Sequence, residues 1–320
     1  MGNDRQALEH YQRVRELALA AGHKAGEAGA VTNLGIFYRQ RGDHKMAVEY
    51  YERAVEIYQQ LEEHEAVINL MSGIGGIYRD AGDYQPAIEY SQRALKRAVK
   101  TGYKFGEAWA LRSLAVAYKE LSDYPKSLEH EGRSVKIFRA IGEKATAGAS
   151  LGNIGIIYQL LGDYSKALGY YEQSLKSARE HNLITEEERN LKNIGKLHLQ
   201  MGNDREALQR LEQALKLAEG RALGSYEADI LVNIGESYKR IGDYQTALER
   251  IERGLRVARE IQVKYREGYA LNSLADLYLK TGDVRKANEH FQHALVLGQE
   301  TGITEVIWEA HKGLAEALEV

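Results

Sequence analysis

The sequence predicts an all-α solenoid of about eight antiparallel helix pairs, about sixteen helices in one continuous array over residues 1–320. Three observations carry this. Gly-Asp or a close variant recurs as Gly2-Asn3, Gly42-Asp43, Gly82-Asp83, Ser122-Asp123, Gly162-Asp163, Gly202-Asn203, Gly242-Asp243 and Gly282-Asp283, at a constant spacing of 40 residues. Between these marks apolar residues fall at helical spacing, as in Val31, Leu34, Gly35 and Tyr38. Only two prolines, Pro86 and Pro125, interrupt 320 residues, so few helix breakers are present.

The elements follow in order. The chain opens on the second helix of a pair, about residues 3–21 by this phase. Each later unit begins with a first helix, marked by an aliphatic residue and then a small one. These are Leu34-Gly35, Ile74-Gly75, Leu114-Ala115, Ile154-Gly155, Ile194-Gly195, Ile234-Gly235, Leu274-Ala275 and Leu314-Ala315. Three residues on stands Tyr38, Tyr78, Tyr118, Tyr158, His198, Tyr238, Tyr278 or Leu318. Small residues let two helices approach, and the tyrosines and aliphatics fill the seam between them. The glycine of the next turn tolerates a left-handed conformation and ends the helix. The Asp after it accepts backbone N–H groups of the second helix. Pro86 and Pro125 sit in that first turn, where a missing N–H costs little. Each second helix carries its own small residue, from Ala7, Ala47 and Ala87 to Ala287. The array closes on a first helix, about 304–319. Starting and stopping out of phase predicts an excised or engineered segment. Helices of roughly 16–18 residues would each be about 25 Å long.

In combination these positions resemble the tetratricopeptide repeat (TPR). Leu34-Gly35, Tyr38, Ala47, Tyr51 and Ala54 match its motif throughout, and Ile154-Gly155, Tyr158, Ala167, Tyr171 and Ser174 match nearly all of it. That repeat is usually about 34 residues long. The 40-residue period and longer helices are similar to Pins-type polarity adaptors and bacterial TPR signalling proteins. The resemblance implies a right-handed superhelix whose first helices line a concave, peptide-binding groove.

The family's groove positions correspond here to the slots two before, one after, two after, five after and eight after Val31, repeated every 40 residues. They hold Arg39, Arg79, Arg112 and Lys119 in the first half and Arg189, Lys192 and Lys196 in the middle. Asp229, Glu236, Asp276, Glu309 and Glu316 dominate the last third. Asn33, Asn153, Asn193 and Asn233 share one slot, where an amide can pair with any peptide backbone or bond within its own helix pair. A family clamp for a C-terminal carboxylate is matched in part: Arg112, Asn153 and Arg189 keep its chemistry, whereas Val116 and Asn193 do not. The expected function is a protein-interaction scaffold that binds an extended acidic or phosphorylated segment at Arg112, Lys119, Arg189, Lys192 and Lys196. Basic residues of the same peptide would meet the acidic last third.

Other classes are disfavoured. A net charge of −3 does not point to nucleic acid. No apolar run approaches the ~18 residues of a membrane span, and the polar start MGNDRQALEH lacks a signal-peptide core. The absence of cysteine fits a cytoplasmic setting and removes disulfide, thiolate-metal and cysteine-nucleophile chemistry. Gly148-Ala149-Ser150-Leu151-Gly152 has the form of a nucleophile elbow, but that needs a strand-to-helix turn. Gly73-Ile74-Gly75-Gly76 lacks the strand that precedes a phosphate loop. His290 and His293 are one turn apart, yet His290 shares its slot with His10, His130, Tyr50 and Tyr90, a packing position rather than a ligand. No enzyme activity, cofactor or metal is expected. Two alternatives remain: the sensor arm of a larger signalling protein, and self-association through the terminal helices. For the latter Val306, Ile307, Leu314 and Leu318 offer a surface, and Arg15, in a slot otherwise held by Val55, Leu95 and Leu255, opposes it.

Overall fold

A computed structural model describes residues 2–219, 221 and 226–319, with side chains from residue 4 onward. Among the described residues every regular element is an α-helix. The helices group into two compact units, residues 1–161 and 162–320. The first contains α1 (Gly2–Ala20), α2 (Lys24–Gln40), α3 (His44–Gln60), α4 (His64–Asp80), α5 (Tyr84–Thr101), α6 (Lys104–Glu120), α7 (Tyr124–Ala140) and α8 (Lys144–Leu160). The second contains α9 (Tyr164–Glu180), α10 (Ile184–Gln200), α11 (Asp204–Ala218), α12 (Glu227–Ile241), α13 (Tyr244–Glu260), α14 (Lys264–Lys280), α15 (Val284–Thr301) and α16 (Thr304–Leu318).

The turn chemistry follows the sequence. Between α2 and α3 the chain needs only Arg41, Gly42 and Asp43. Gly42 has φ 74°, and the Asp43 N–H reaches back to the Tyr38 carbonyl at 3.1 Å. This left-handed closure satisfies carbonyls at the helix end. Asp43 then accepts the Met46 N–H at 3.1 Å, capping α3. Asp123, Asp163, Asp243 and Asp283 cap their helices in the same way. Asp83 and Asn203 occupy the cap position without that bond. The turns leading back into first helices use the same left-handed residue, at Gly22, Gly102, Gly142 and Gly302, and at the non-glycines Glu62, Asn182 and Gln262.

Small residues set the helix spacing. A Cβ on Gly35 would stand 2.3 Å from the Tyr51 ring, and one on Gly235 would stand 2.4 Å from Ile251 Cγ1. The residue opposite each small position is Tyr51, Ser91, Glu131, Tyr171, Leu211, Ile251 or Phe291, and all seven are buried. Near the turns, aromatic rings stack across the hairpin as Tyr38–Tyr50, Tyr78–Tyr90, Tyr118–His130 and Tyr278–His290, with centroids 5.4–5.7 Å apart. His290 is therefore a stacking partner. Ser150 is buried inside α8. Within each unit first helices also touch one another: α4 meets α6, and α10, α12, α14 and α16 lie in sequence. These even-numbered helices form the layer that carries the groove slots.

One expectation needs correction. Val306 is not an open surface residue but a core residue: it fills the space over Gly268 and Gly298, whose missing side chains admit it. Leu318 is 86% exposed. Helix α12 begins at Glu227, three residues after the position matching Lys24, while Ile234, Gly235, Tyr238 and Gly242 keep the 40-residue phase.

Candidate functional site

A cavity of about 470 Å³ opens on the even-helix layer of the second unit. Lys192 and Lys196 of α10 form one end. Asp229, Asn233, Glu236 and Lys239 of α12 come next, followed by Tyr265, Arg266, Tyr269, Asn272 and Asp276 of α14. Glu305, Trp308, Glu309, Lys312 and Glu316 of α16 form the other end. Most of these residues stand at the repeating groove slots, which project one helix face into a common space.

Ion pairs consume much of the charge. Asp229 serves two cations, with Lys192 Nζ at 3.9 Å and Arg266 Nε at 3.5 Å. Lys239 bridges Glu236, at 2.6 Å, and Asp276. Burial works against the Lys239 charge, but these two carboxylates outweigh it and raise its pKa. Lys312 lies 3.6 Å from Glu316. The α10 end has a surplus of positive charge. Burial above all, with Lys196, Arg266 and Arg189 adding to it and Asp229 opposing, lowers the Lys192 pKa to about 8. Its ammonium also lies 4.2 Å over the Tyr226 ring, which Arg266 shares at 5.5 Å.

Tyr226 is held from beneath. Glu188 of α10 is fully buried, where Ala28, Ala108 and Ala228 stand in other repeats. Its carboxylate accepts the Tyr226 N–H at 2.5 Å and Arg221 Nη1 at 3.0 Å. Arg221 and Tyr226, which lie between α11 and α12, are thus tied to α10.

The α16 end is acidic and aromatic. Glu305 accepts the Tyr269 hydroxyl at 2.6 Å, and the Tyr269 pKa is pushed up by burial and by this bond. Burial raises the Glu309 pKa, Glu305 and Glu236 add to the rise, and Lys196 and an Asn272 hydrogen bond oppose it. Among the described residues, no cation lies within ion-pair distance of either Glu305 or Glu309. Trp308 is 61% exposed beside them.

The structure brings together Lys192, Lys196 and Asn233 of the expected binding residues, with Asp229, Glu236, Asp276, Glu309 and Glu316. Arg189, on the same helix, pairs with Glu186, and Asn193 is half-buried outside the lining. Asn233 donates to the Asp229 carbonyl of its own helix at 2.8 Å. In the first unit Arg39 and Arg79 converge on Asp80, at 3.2 and 2.6 Å. Lys119 pairs with Glu120 at 2.7 Å, and Arg112 lies 5.1 Å over the Trp109 ring. Asn153 donates to the buried Glu131 at 2.9 Å, and Asn33 is exposed on α2. Sequence reasoning missed Tyr265, Arg266, Glu305 and Trp308. They stand one turn or less before the first groove slot, so extending the slot pattern one turn upstream finds them.

Among the described residues no helix is long and apolar enough to cross a membrane. None of their acidic, histidine or cysteine side chains group in threes as a metal would require.

The tetratricopeptide repeat family matches the chain at residues 1–60, 26–100, 67–140, 106–180 and 226–297, and a second description of the same repeat matches 191–224. No relative was found among curated proteins. Three solved structures are similar. BtubC from P. vanneervenii has 21% identity over 70% of this chain and 92% of its own, with a TM-score of 0.59. A signal transduction ATPase with numerous domains and a tetratricopeptide repeat sensor, from Pyrococcus horikoshii, has 20% identity. The match covers 98% of this chain but 49% of that one, with a TM-score of 0.64. Aspartyl phosphate phosphatase F from Bacillus subtilis has 14% identity over 88% of this chain and 72% of its own, with a TM-score of 0.69. At these identities the likeness carries the fold.

Proposed function

The chain belongs to the tetratricopeptide repeat family, and from that premise we propose that it is an interaction module that holds an extended peptide segment of another protein against its even helices. The cavity in the second unit carries this reading. Four successive first helices contribute the same few slots to one recess, which a peptide strand could follow from α10 to α16. A precedent for such an array as the receiving part of a signalling protein is the ATPase named for its tetratricopeptide repeat sensor.

The charge pattern refines the expected ligand. Arg39, Arg79, Lys119, Arg189 and Lys192 each have a carboxylate partner. A uniformly acidic peptide would have to compete with these partly exposed carboxylates for the same cations. A segment of mixed charge avoids that.

Site-specific photocrosslinking tests the placement. Peptides selected on the protein from a random display library are presented to two variants, one with p-benzoylphenylalanine in place of Ser273 and one with it in place of Glu249. Ser273 lines the cavity, whereas Glu249 is exposed on the second helix α13. Crosslinking at the first position alone is expected. Equal yields at both positions, or crosslinking only at Glu249, would remove the groove reading.

A further inference from the structure

We propose that the α16 end of the cavity is a site for a basic side chain, a lysine or arginine of the bound peptide, received by Glu305 and Glu309 beside Trp308. This rests on the peptide-binding reading above and adds the chemistry of one ligand residue and the direction in which it lies.

Charge bookkeeping within the cavity motivates it. Six lining carboxylates, Asp229, Glu236, Asp276, Glu305, Glu309 and Glu316, face five lining cations. Lys192 and Arg266 share Asp229, Lys239 serves Glu236 and Asp276, and Lys312 serves Glu316. What remains without an ion pair is Lys196 at one end and Glu305 with Glu309 at the other. Helix α10 therefore brings the unpaired cation and α16 the unpaired carboxylates, with Lys196 near enough to Glu309 to act on its charge.

The two carboxylates are held in place. Tyr269 donates its hydroxyl to Glu305 at 2.6 Å. Asn272 lies close enough to Glu309 to favour its charged form and donates to the Val306 carbonyl at 3.0 Å. Each carboxylate keeps acceptor capacity after its single neutral donor, because an ionised carboxylate has about four lone-pair sites. Asn272 is 3% exposed, and its Oδ1 has no hydrogen-bond partner. Thus three acceptors gather at one end of the cavity and call for a ligand rich in N–H donors. A half-buried carboxylate with like charges as neighbours gains most from an incoming cation, and the raised Glu309 pKa accords with that.

Trp308 supplies the remaining contact. It occupies the slot that Ala28, Ala108 and Ala228 hold in other repeats, and it projects an indole largely into solvent. Lys312 already lies 5.7 Å over the ring, so the indole is placed to take a cation. The stem of a lysine or arginine would lie along that face with its head between the carboxylates. The opposite end, with Lys192 and Lys196, then receives an acidic group of the same segment, and the two ends fix its direction.

The test uses two pools of random hexapeptides, acetylated and amidated so that no terminal charge contributes. One pool carries arginine at a fixed central position and the other carries citrulline, its neutral isostere. Binding is read from Trp308 fluorescence in a Trp109→Phe background, since the chain has only two tryptophans. The arginine pool is expected to bind at least tenfold more tightly to the Trp109→Phe protein. That preference should fall to within about twofold in Glu305→Gln/Glu309→Gln, with the helical circular dichroism unchanged. Equal binding of both pools to the Trp109→Phe protein overturns the basic-residue site and leaves peptide binding standing. A preference that survives in the double variant also overturns it. Retention of no peptide from either pool overturns both readings.

Discussion

At the scale of single residues, Lys192 is a largely buried lysine whose charge is only partly compensated. It is 17% exposed, surrounded by Lys196, Arg266 and Arg189, and supported by one shared carboxylate and the Tyr226 ring. Its folded pKa of about 8 lies below the ordinary value of 10.5. Below about pH 8 both the folded and unfolded states carry the proton, so the full cost of burying the charge is present. Between about 8 and 10.5 the unfolded state holds a proton that the folded state has released, so stability rises with pH. The cost reaches up to about 3 kcal/mol. Lys192→Met should therefore stabilise the protein at pH 7. Urea unfolding at pH 7 and at pH 9.5 should show that gain falling by about 2 kcal/mol at the higher pH. A gain that stays constant with pH would place its origin in packing rather than charge.

At the scale of elements, the hairpins were legible because their determinants are local. Gly42-Asp43 contains both the left-handed turn and the cap, and Gly35 opposite Tyr51 sets the helix spacing. The cavity was legible only in part. Lys192, Lys196 and Asn233 followed from slot position. The pairing of Lys239 with Asp276 crosses 37 residues and depends on how two helices lie side by side, which no local pattern encodes. The returning turns at Glu62, Asn182 and Gln262 were equally silent, because non-glycine residues adopt the left-handed form there under the demand of closure. Two glycines test the spacing argument. Gly235→Ala would force a Cβ against Ile251 and should cost about 1–3 kcal/mol. Gly169→Ala, exposed in the middle of α9 with nothing within 4 Å, should instead add about 1 kcal/mol. Thermal unfolding of both variants checks the opposite signs.

At the scale of the molecule, contacts run mainly between neighbouring helices, so stability is close to a sum of local terms. Such a chain need not unfold in one step. The first helix is its weakest member: α1 leaves Val14, Leu17 and Leu19 about half exposed and has Ala18 as its one buried side chain among those described. Native-state hydrogen exchange should find the α1 amides exchanging fastest among the helices, with protection in α4 and α14 unaffected by its opening. Uniform protection across α1, α4 and α14 would instead indicate one cooperative unit.

The tie made by Glu188 has a further meaning for descent. Wherever turns recur in the same phase, a duplicated or lost block of 40 residues rejoins like to like, so repeats can be exchanged as cassettes. Between α11 and α12 this fails. The connection there depends on a carboxylate borrowed from α10, and Arg221 and Tyr226 have no use for an alanine in its place. A cassette boundary drawn at that junction would strand one half of the contact. An exchange of blocks that separated Glu188 from Arg221 and Tyr226 would therefore cost this fastening as well as a stretch of chain.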